Sequence, residues 1–126
     1  DRPGLIEALG GRLSPDACLD VLIQVNIDRE PQKSGCLPEG LDALADAACS
    51  TPGLKLRGLM AIPRPPQGAP PAQAFERMRS LLESIADRIE GPSTLSMGMS
   101  GDFETAIAHG STVVRVGTAL FGARSV

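Results

Sequence analysis

The chain reads as an α/β protein built on parallel strands. Three observations carry that expectation. Four short apolar runs recur along the 126 residues, each followed by a helix-spaced pattern. The runs are continuous rather than alternating, as in strands buried on both faces of a parallel sheet. Their order is a helix, three strand-helix units, then a last strand and a short tail, which is the signature of βα architecture.

In chain order, residues 5–9 form a short helical patch stopped by Gly10-Gly11. The first strand is residues 19–26 (LDVLIQVN), rich in β-branched residues. Residues 38–50 then place Leu41, Leu44, Ala45 and Ala48 on one helical stripe and stop at Thr51-Pro52-Gly53. The second strand is residues 54–62 (LKLRGLMAI). Residues 63–71 hold five prolines in nine positions, so an irregular, fairly stiff loop is expected there. It is no domain linker, because βα patterning resumes at once. Residues 72–90 align Phe75, Met78, Leu82, Ile85 and Ile89 on one face and end at Gly91-Pro92. The third strand, residues 94–97 (TLSM), is weak by itself and precedes a shorter helix over residues 102–108 that ends at Gly110. The fourth strand is residues 112–117 (TVVRVG).

Length makes this one domain or part of one, short of the roughly 200–250 residues of a complete (β/α)8 barrel. A net charge of −3 argues against a nucleic-acid or polybasic membrane surface, and three Phe with no Tyr or Trp build no base-stacking platform. No apolar run is long enough to span a bilayer, and the N-terminus has no signal-peptide pattern. Three cysteines without CxxC spacing read as reduced thiols of a cytoplasmic protein. The single histidine, His109, excludes multi-His metal sites, and its place at a helix end is explained by the helix dipole.

Ligands of βα folds gather at the carboxyl ends of the strands. The loop after the third run, Gly98-Met99-Ser100-Gly101, leads into a helix, and Gly117-Thr118 does the same after the fourth. Small residues admit close backbone approach, while Ser100, Thr118 and the free amides of a helix start donate to an anion. The alternative is that Ser100 caps its own helix and the glycines only make turns. Asp102 and Glu104 lie close by and must point away from such an anion, or they weaken the site. Arg115 interrupts VVRVG on the face of Val113 and Gly117; placed inward, it needs an anion, a ring nitrogen or a carboxylate in a structural ion pair. Lys33 lies on the candidate ligand face, where most lysines are merely solvated, and Lys55 lies at the opposite end. Met60, Met97 and Met99 cluster at strand ends, where core packing also explains them.

These residues carry a resemblance. Residues 95–124 (LSMGMSGDFETAIAHGSTVVRVGTALFGAR) resemble the C-terminal signature of the YggS/PROSC family of pyridoxal phosphate homeostasis proteins. The blocks QVNIDREPQKSG (residues 24–35) and LRGLMAIP (residues 56–63) resemble two others, in the right order. The family is similar to the barrel domain of alanine racemases, a single (β/α)8 barrel with pyridoxal 5′-phosphate (PLP) at its mouth. The resemblance implies that Ser100, Gly117 and Thr118 hold the phosphate with Met99 near it, and that Arg115 faces the pyridine nitrogen. It also implies that Asn26 and Met60 line the surroundings, and that Lys33 matches the lysine of the KSG block and assists PLP handling.

The family's Schiff-base lysine belongs to the first barrel strand, and neither Lys33 nor Lys55 matches it. Residues 1–126 are therefore expected to be the C-terminal half of one barrel, strands 5–8, with the N-terminal half absent, Asp1-Arg2 following the family's fourth strand, and two open strand edges and an exposed inner face left. The function implied is non-catalytic PLP binding in PLP homeostasis. Its implied partners are PLP, PLP-dependent apoenzymes, and either the missing half or another copy of the chain. The alternatives are a PLP-dependent amino-acid racemase, disfavoured because the chain has no tyrosine for a second base, and an inactive barrel fragment.

Overall fold

A computed structural model describes residues 1–65 and 71–122. Helix α1 (Pro3–Gly10) precedes strand β1 (Leu19–Gln24), and a 3-10 turn at Pro38–Gly40 leads into α2 (Leu41–Ser50). Then come β2 (Leu54–Met60), α3 (Ala72–Ser84) with a 3-10 turn at Ala86–Arg88, β3 (Thr94–Met99), α4 (Phe103–Ala108), β4 (Val113–Arg115) and α5 (Thr118–Phe121). Residues 66–70 of the proline-rich loop lie outside the described residues; the flanking Pro63–Pro65 stretch is irregular.

The four strands form one parallel sheet in the order β1-β2-β3-β4, each paired with its successor in sequence. Helical crossovers between adjacent parallel strands keep one hand, so successive helices stack on the same side of the sheet. The expected stripes face that side. Leu41, Leu44, Ala45 and Ala48 of α2 and Phe75 and Met78 of α3 are buried. They share one cluster with Ile23, Val25, Leu56, Leu59, Leu95 and Met97 of the strand segments. The predicted helix over residues 72–90 is interrupted: Ser84 Oγ donates to Leu81 O (2.8 Å), and the chain tightens into the 3-10 turn. Ile85 still reaches the core.

Continuous apolar runs suit strands covered on both faces, whereas half a barrel leaves its inner face open, and that open face is what the described residues show. Directly opposed residues share a face, and Gln24, Met60, Ser96 and Val113 form a row across the four strands. That row lies on the side away from the helices, where Leu22 is 36% and Val113 44% exposed. Ser96 is buried there, with the Arg115 guanidinium bonded to its hydroxyl. The runs read as continuous because both faces carry apolar side chains, although among the described residues only one face has a covering layer.

Two glycines set the close approaches that shape the sheet. Gly58, at φ +148°, would drive a Cβ to 1.8 Å from Thr94 O, so no other residue lets β2 pass the start of β3. Gly98, at φ +95°, would put a Cβ 2.6 Å from Ala106 Cβ, and this closeness seats α4 against the end of β3. A register shift falls between Ser96 and Met99. It leaves β4 only three residues long and points the following turn toward α5.

Candidate functional site

Two loop systems occupy the carboxyl edge of the sheet. The first follows β3 and β4. Arg115 closes β4, and its guanidinium reaches back across two neighbouring strands. Nη1 donates to Ser96 O (3.2 Å) and Ser96 Oγ (2.5 Å), and Nη2 donates to Ala61 O (2.8 Å). Three of the five guanidinium donors are therefore used, all on neutral oxygens. No acidic side chain is paired with Arg115 among the described residues, so the structural ion pair is not what holds it. Burial pushes its pKa down, and the nearby Asp102 carboxylate opposes that. A half-buried cation with spare donors and no carboxylate paired to it among the described residues is a site for an anion or an electron-rich ring atom.

Beside it, the two glycine-rich turns meet. Ser100 does not cap its own helix; its Oγ instead accepts from Ala119 N–H (3.4 Å) in the first turn of α5. The Leu120 and Phe121 amides both donate to Gly117 O. The amides of Gly117 and Thr118 donate to no described acceptor, and Gly117 faces open space. Met99, paired with Arg115 across the β3-β4 register, is 45% exposed at the same edge. Met60 sits half-buried beside Ser96 in the cross-strand row. Five of the predicted residues, Met99, Ser100, Arg115, Gly117 and Thr118, thus converge, with Met60 adjoining.

Asp102 folds back onto its own turn: its Oδ1 accepts Met99 N–H (2.7 Å). The physical reason is local, since an Asp three residues after a free amide folds back to satisfy it.

The second system follows β1 and β2. Residues 26–36 fold back on themselves, with Asn26 N–H on Cys36 O (2.8 Å) and Cys36 N–H on Gln24 O (2.9 Å). Asn26 Nδ2 donates to Glu30 O (2.8 Å) and Lys33 O (3.4 Å), while its Oδ1 accepts Glu30 N–H (3.0 Å). Its side chain is spent inside the loop instead of lining a ligand site. Lys33 Nζ donates to Ile62 O and Pro63 O (3.1 Å each) and lies 2.5 Å from Glu30 Oε2. The ammonium donates to two carbonyls and is ion-paired with Glu30, so no free amine is presented. Glu30, only 8% exposed, also accepts from Gln32 Nε2 (3.1 Å) and has Arg64 Nε at 3.6 Å. The Lys33 hydrogen bond holds its carboxyl below the usual range. Asn26 and Lys33 therefore belong to a structural knot separate from the Arg115 corner.

The two systems touch through one feature. Ala61 O, Ile62 O and Pro63 O are successive carbonyls leaving β2; Arg115 takes the first and Lys33 the other two.

Sequence reasoning missed Ser96 and Glu30. Ser96 was visible as a polar residue inside an apolar run, in line with Arg115 only once the register is known. His109 is structural, as read: it caps α4, its Nδ1 bonds Thr105 O (2.8 Å), and its ring tilts against Phe75 at 6.5 Å. The Cys18, Cys36 and Cys49 thiols are unpaired, and burial raises the Cys36 pKa. No helix among the described residues is long and apolar enough to cross a membrane.

The model of the alanine racemase N-terminal domain matches residues 7–125, nearly the whole chain. The chain belongs to that family. Within it, a relative from Pseudomonas aeruginosa named pyridoxal phosphate homeostasis protein is 56% identical over 107 residues, covering 84% of this chain and 45% of the relative. One of the same name from Escherichia coli K12 is 50% identical over 109 residues, covering 84% and 46%. The chain thus spans about half the length of the curated relatives it matches. Among solved structures, PipY of Synechococcus elongatus with PLP bound superposes with a TM-score of 0.71 at 30% identity, over 95% of this chain and 54% of that one. The alanine racemase of Corynebacterium glutamicum gives 0.73 at 19% identity, over 97% and 34%, which speaks to the fold alone. The four-stranded parallel sheet is accordingly part of an alanine racemase-like barrel, and the resemblance read from the three sequence blocks holds.

Proposed function

We propose that this chain supplies the phosphate-facing and ring-nitrogen-facing part of a PLP site, and that the protein serves PLP carriage and homeostasis without turnover. The observation that carries this reading is the Arg115 corner. A cation without a carboxylate partner stands beside the Ser100–Ala119 junction and the free amides of Gly117 and Thr118. The residues present fit the cofactor: Ser100, Gly117 and Thr118 offer hydroxyl and amide donors to a phosphate, with Met99 at the rim. Arg115 offers its unused N–H groups to the pyridine nitrogen.

PLP brings an aldehyde and a ring that withdraws electrons well only when its nitrogen is protonated. A permanent cation at that nitrogen disfavours protonation, which suits holding the cofactor more than using it. The names of the relatives and the PLP bound in PipY point the same way.

Residues 1–126 act in this reading as the C-terminal half of one barrel, the uncovered sheet face and the free edges of β1 and β4 being suited to four further βα units. PLP-dependent apoenzymes are the acceptors of the cargo, and three unpaired thiols suit a cytoplasmic setting. The test is titration of the chain with PLP, followed by the cofactor's absorbance. Saturable binding that inorganic phosphate competes away, with pyridoxal binding much more weakly, is the expected result. Binding that never saturates or ignores phosphate overturns the reading.

A further inference from the structure

Asp102 is the second charged group at the corner, and the phosphate reading leaves it without a role. It closes the turn after β3 twice: its N–H donates to Met99 O (3.0 Å), and its Oδ1 accepts Met99 N–H (2.7 Å). Its carbonyl accepts from Ala106 N–H (3.0 Å) and so opens α4. The same carboxylate is near enough to Arg115 to support that guanidinium's charge against the effect of burial. The corner thus carries fixed side-chain charges of both signs, Arg115 positive at the end of β4 and Asp102 negative in the turn bonded to Met99, the register partner of Arg115. Glu104, the other acid of this segment, is exposed, and water screens it.

The turn itself does not need an anion. A neutral Asn or Ser accepts from the same amide with similar geometry. What Asp alone brings is negative charge beside a site for a negatively charged ligand, which is unfavourable by Coulomb's law. We propose that Asp102 limits the affinity of this corner: its oxygen shapes the turn that carries Ser100, while its charge offsets Arg115 and weakens the hold on a phosphate monoester. The proposal rests on the phosphate reading above and deepens it, because a carrier must release what it binds. Affinity then comes from directed hydroxyl and amide donors more than from net charge.

The experiment titrates PLP, pyridoxal and inorganic phosphate against the full chain, Asp102→Asn and Asp102→Ser, at low and high salt, with thermal unfolding of each protein alongside. Asp102→Asn is expected to bind PLP about 3–10-fold tighter at low ionic strength, with the gap closing toward 1 M salt. Inorganic phosphate should gain similarly, and pyridoxal, which lacks the phosphate, should not. Asp102→Ser should reproduce the gain, and it keeps the test alive where Asp102→Asn folds poorly. Unchanged or weaker PLP binding in a neutral variant that unfolds like the parent overturns the proposal, as does an equal gain for pyridoxal. A parent that binds neither PLP nor phosphate saturably removes the phosphate reading and this proposal together. A parent that binds, with neutral variants no different, removes this proposal alone.

Discussion

The two loop systems at the carboxyl edge differ in one respect that decides their roles. After β1 and β2, every polar group of Asn26 and Lys33 has a partner within the chain, and Glu30 sits between Lys33, Gln32 and Arg64. After β3 and β4, Arg115 keeps spare donors, and the Gly117 and Thr118 amides have no described acceptor. Buried polar groups are normally satisfied, so the largely paired knot signals structure, whereas the spare Arg115 donors and the exposed Gly117 and Thr118 amides are open to a ligand or to water. Residue type does not distinguish them, since each system contains a cation, small residues and a carboxylate. Pairing does.

The sharpest way to break this contrast is Arg115→Ala. It removes a charged donor from the corner, and PLP affinity should fall by more than about tenfold, the scale of a hydrogen bond to a charged group. Its thermal midpoint should fall only modestly, because truncation uncovers Ser96 Oγ to water, although Ala61 O, in a fully buried residue, loses one donor. A large loss of stability with unchanged binding would reverse the assignment. Next in size, Ser100→Ala and Thr118→Ala should each weaken PLP binding about 3–10-fold. The double variant should fall short of the product, since adjoining groups act on one ligand.

On the other side of the contrast, Lys33→Ala should do the opposite of Arg115→Ala. It leaves Glu30 and two carbonyls without their cation, so the thermal midpoint should drop by several degrees. PLP affinity at a temperature where the variant is folded should stay within about twofold of the parent. Abolished binding with an unchanged midpoint would place Lys33 in the ligand site after all.

The smallest effect concerns acid. The folded-state pKa of Glu30 lies below its ordinary value of 4.5, mainly through the Lys33 hydrogen bond. A depressed carboxyl contributes its stabilisation in full above that ordinary value and loses it as pH falls through the lowered one. Thermal midpoints measured downward from pH 6 should therefore show a decline below about pH 4.5 that is shallower in Glu30→Gln. Equal slopes would remove the ion pair from the account of the knot.

How much of this was legible beforehand follows from the range of the interactions. The helical stripes were, because Leu41, Leu44, Ala45 and Ala48 meet the core through a periodicity contained within one helix. The converging turns were also legible, since Ser100 and Thr118 each follow a strand directly. The fate of Lys33 was not: its carbonyl acceptors lie 29 and 30 residues away, and no local pattern announces them. The open face of the sheet was legible too, because half a barrel leaves its inner face without a covering layer. Ser96 needed the register, which a shift between Ser96 and Met99 makes unreadable from spacing.

The three carbonyls leaving β2 turn two chemically separate neighbourhoods into one mechanical part. Arg115 claims the first oxygen and Lys33 the next two, so the peptide planes of residues 61–63 are braced like a rung between two rails. Slackening either rail lets the rung rotate. A disturbance in the knot would then reach the corner as a small tilt of backbone, with no charge having moved.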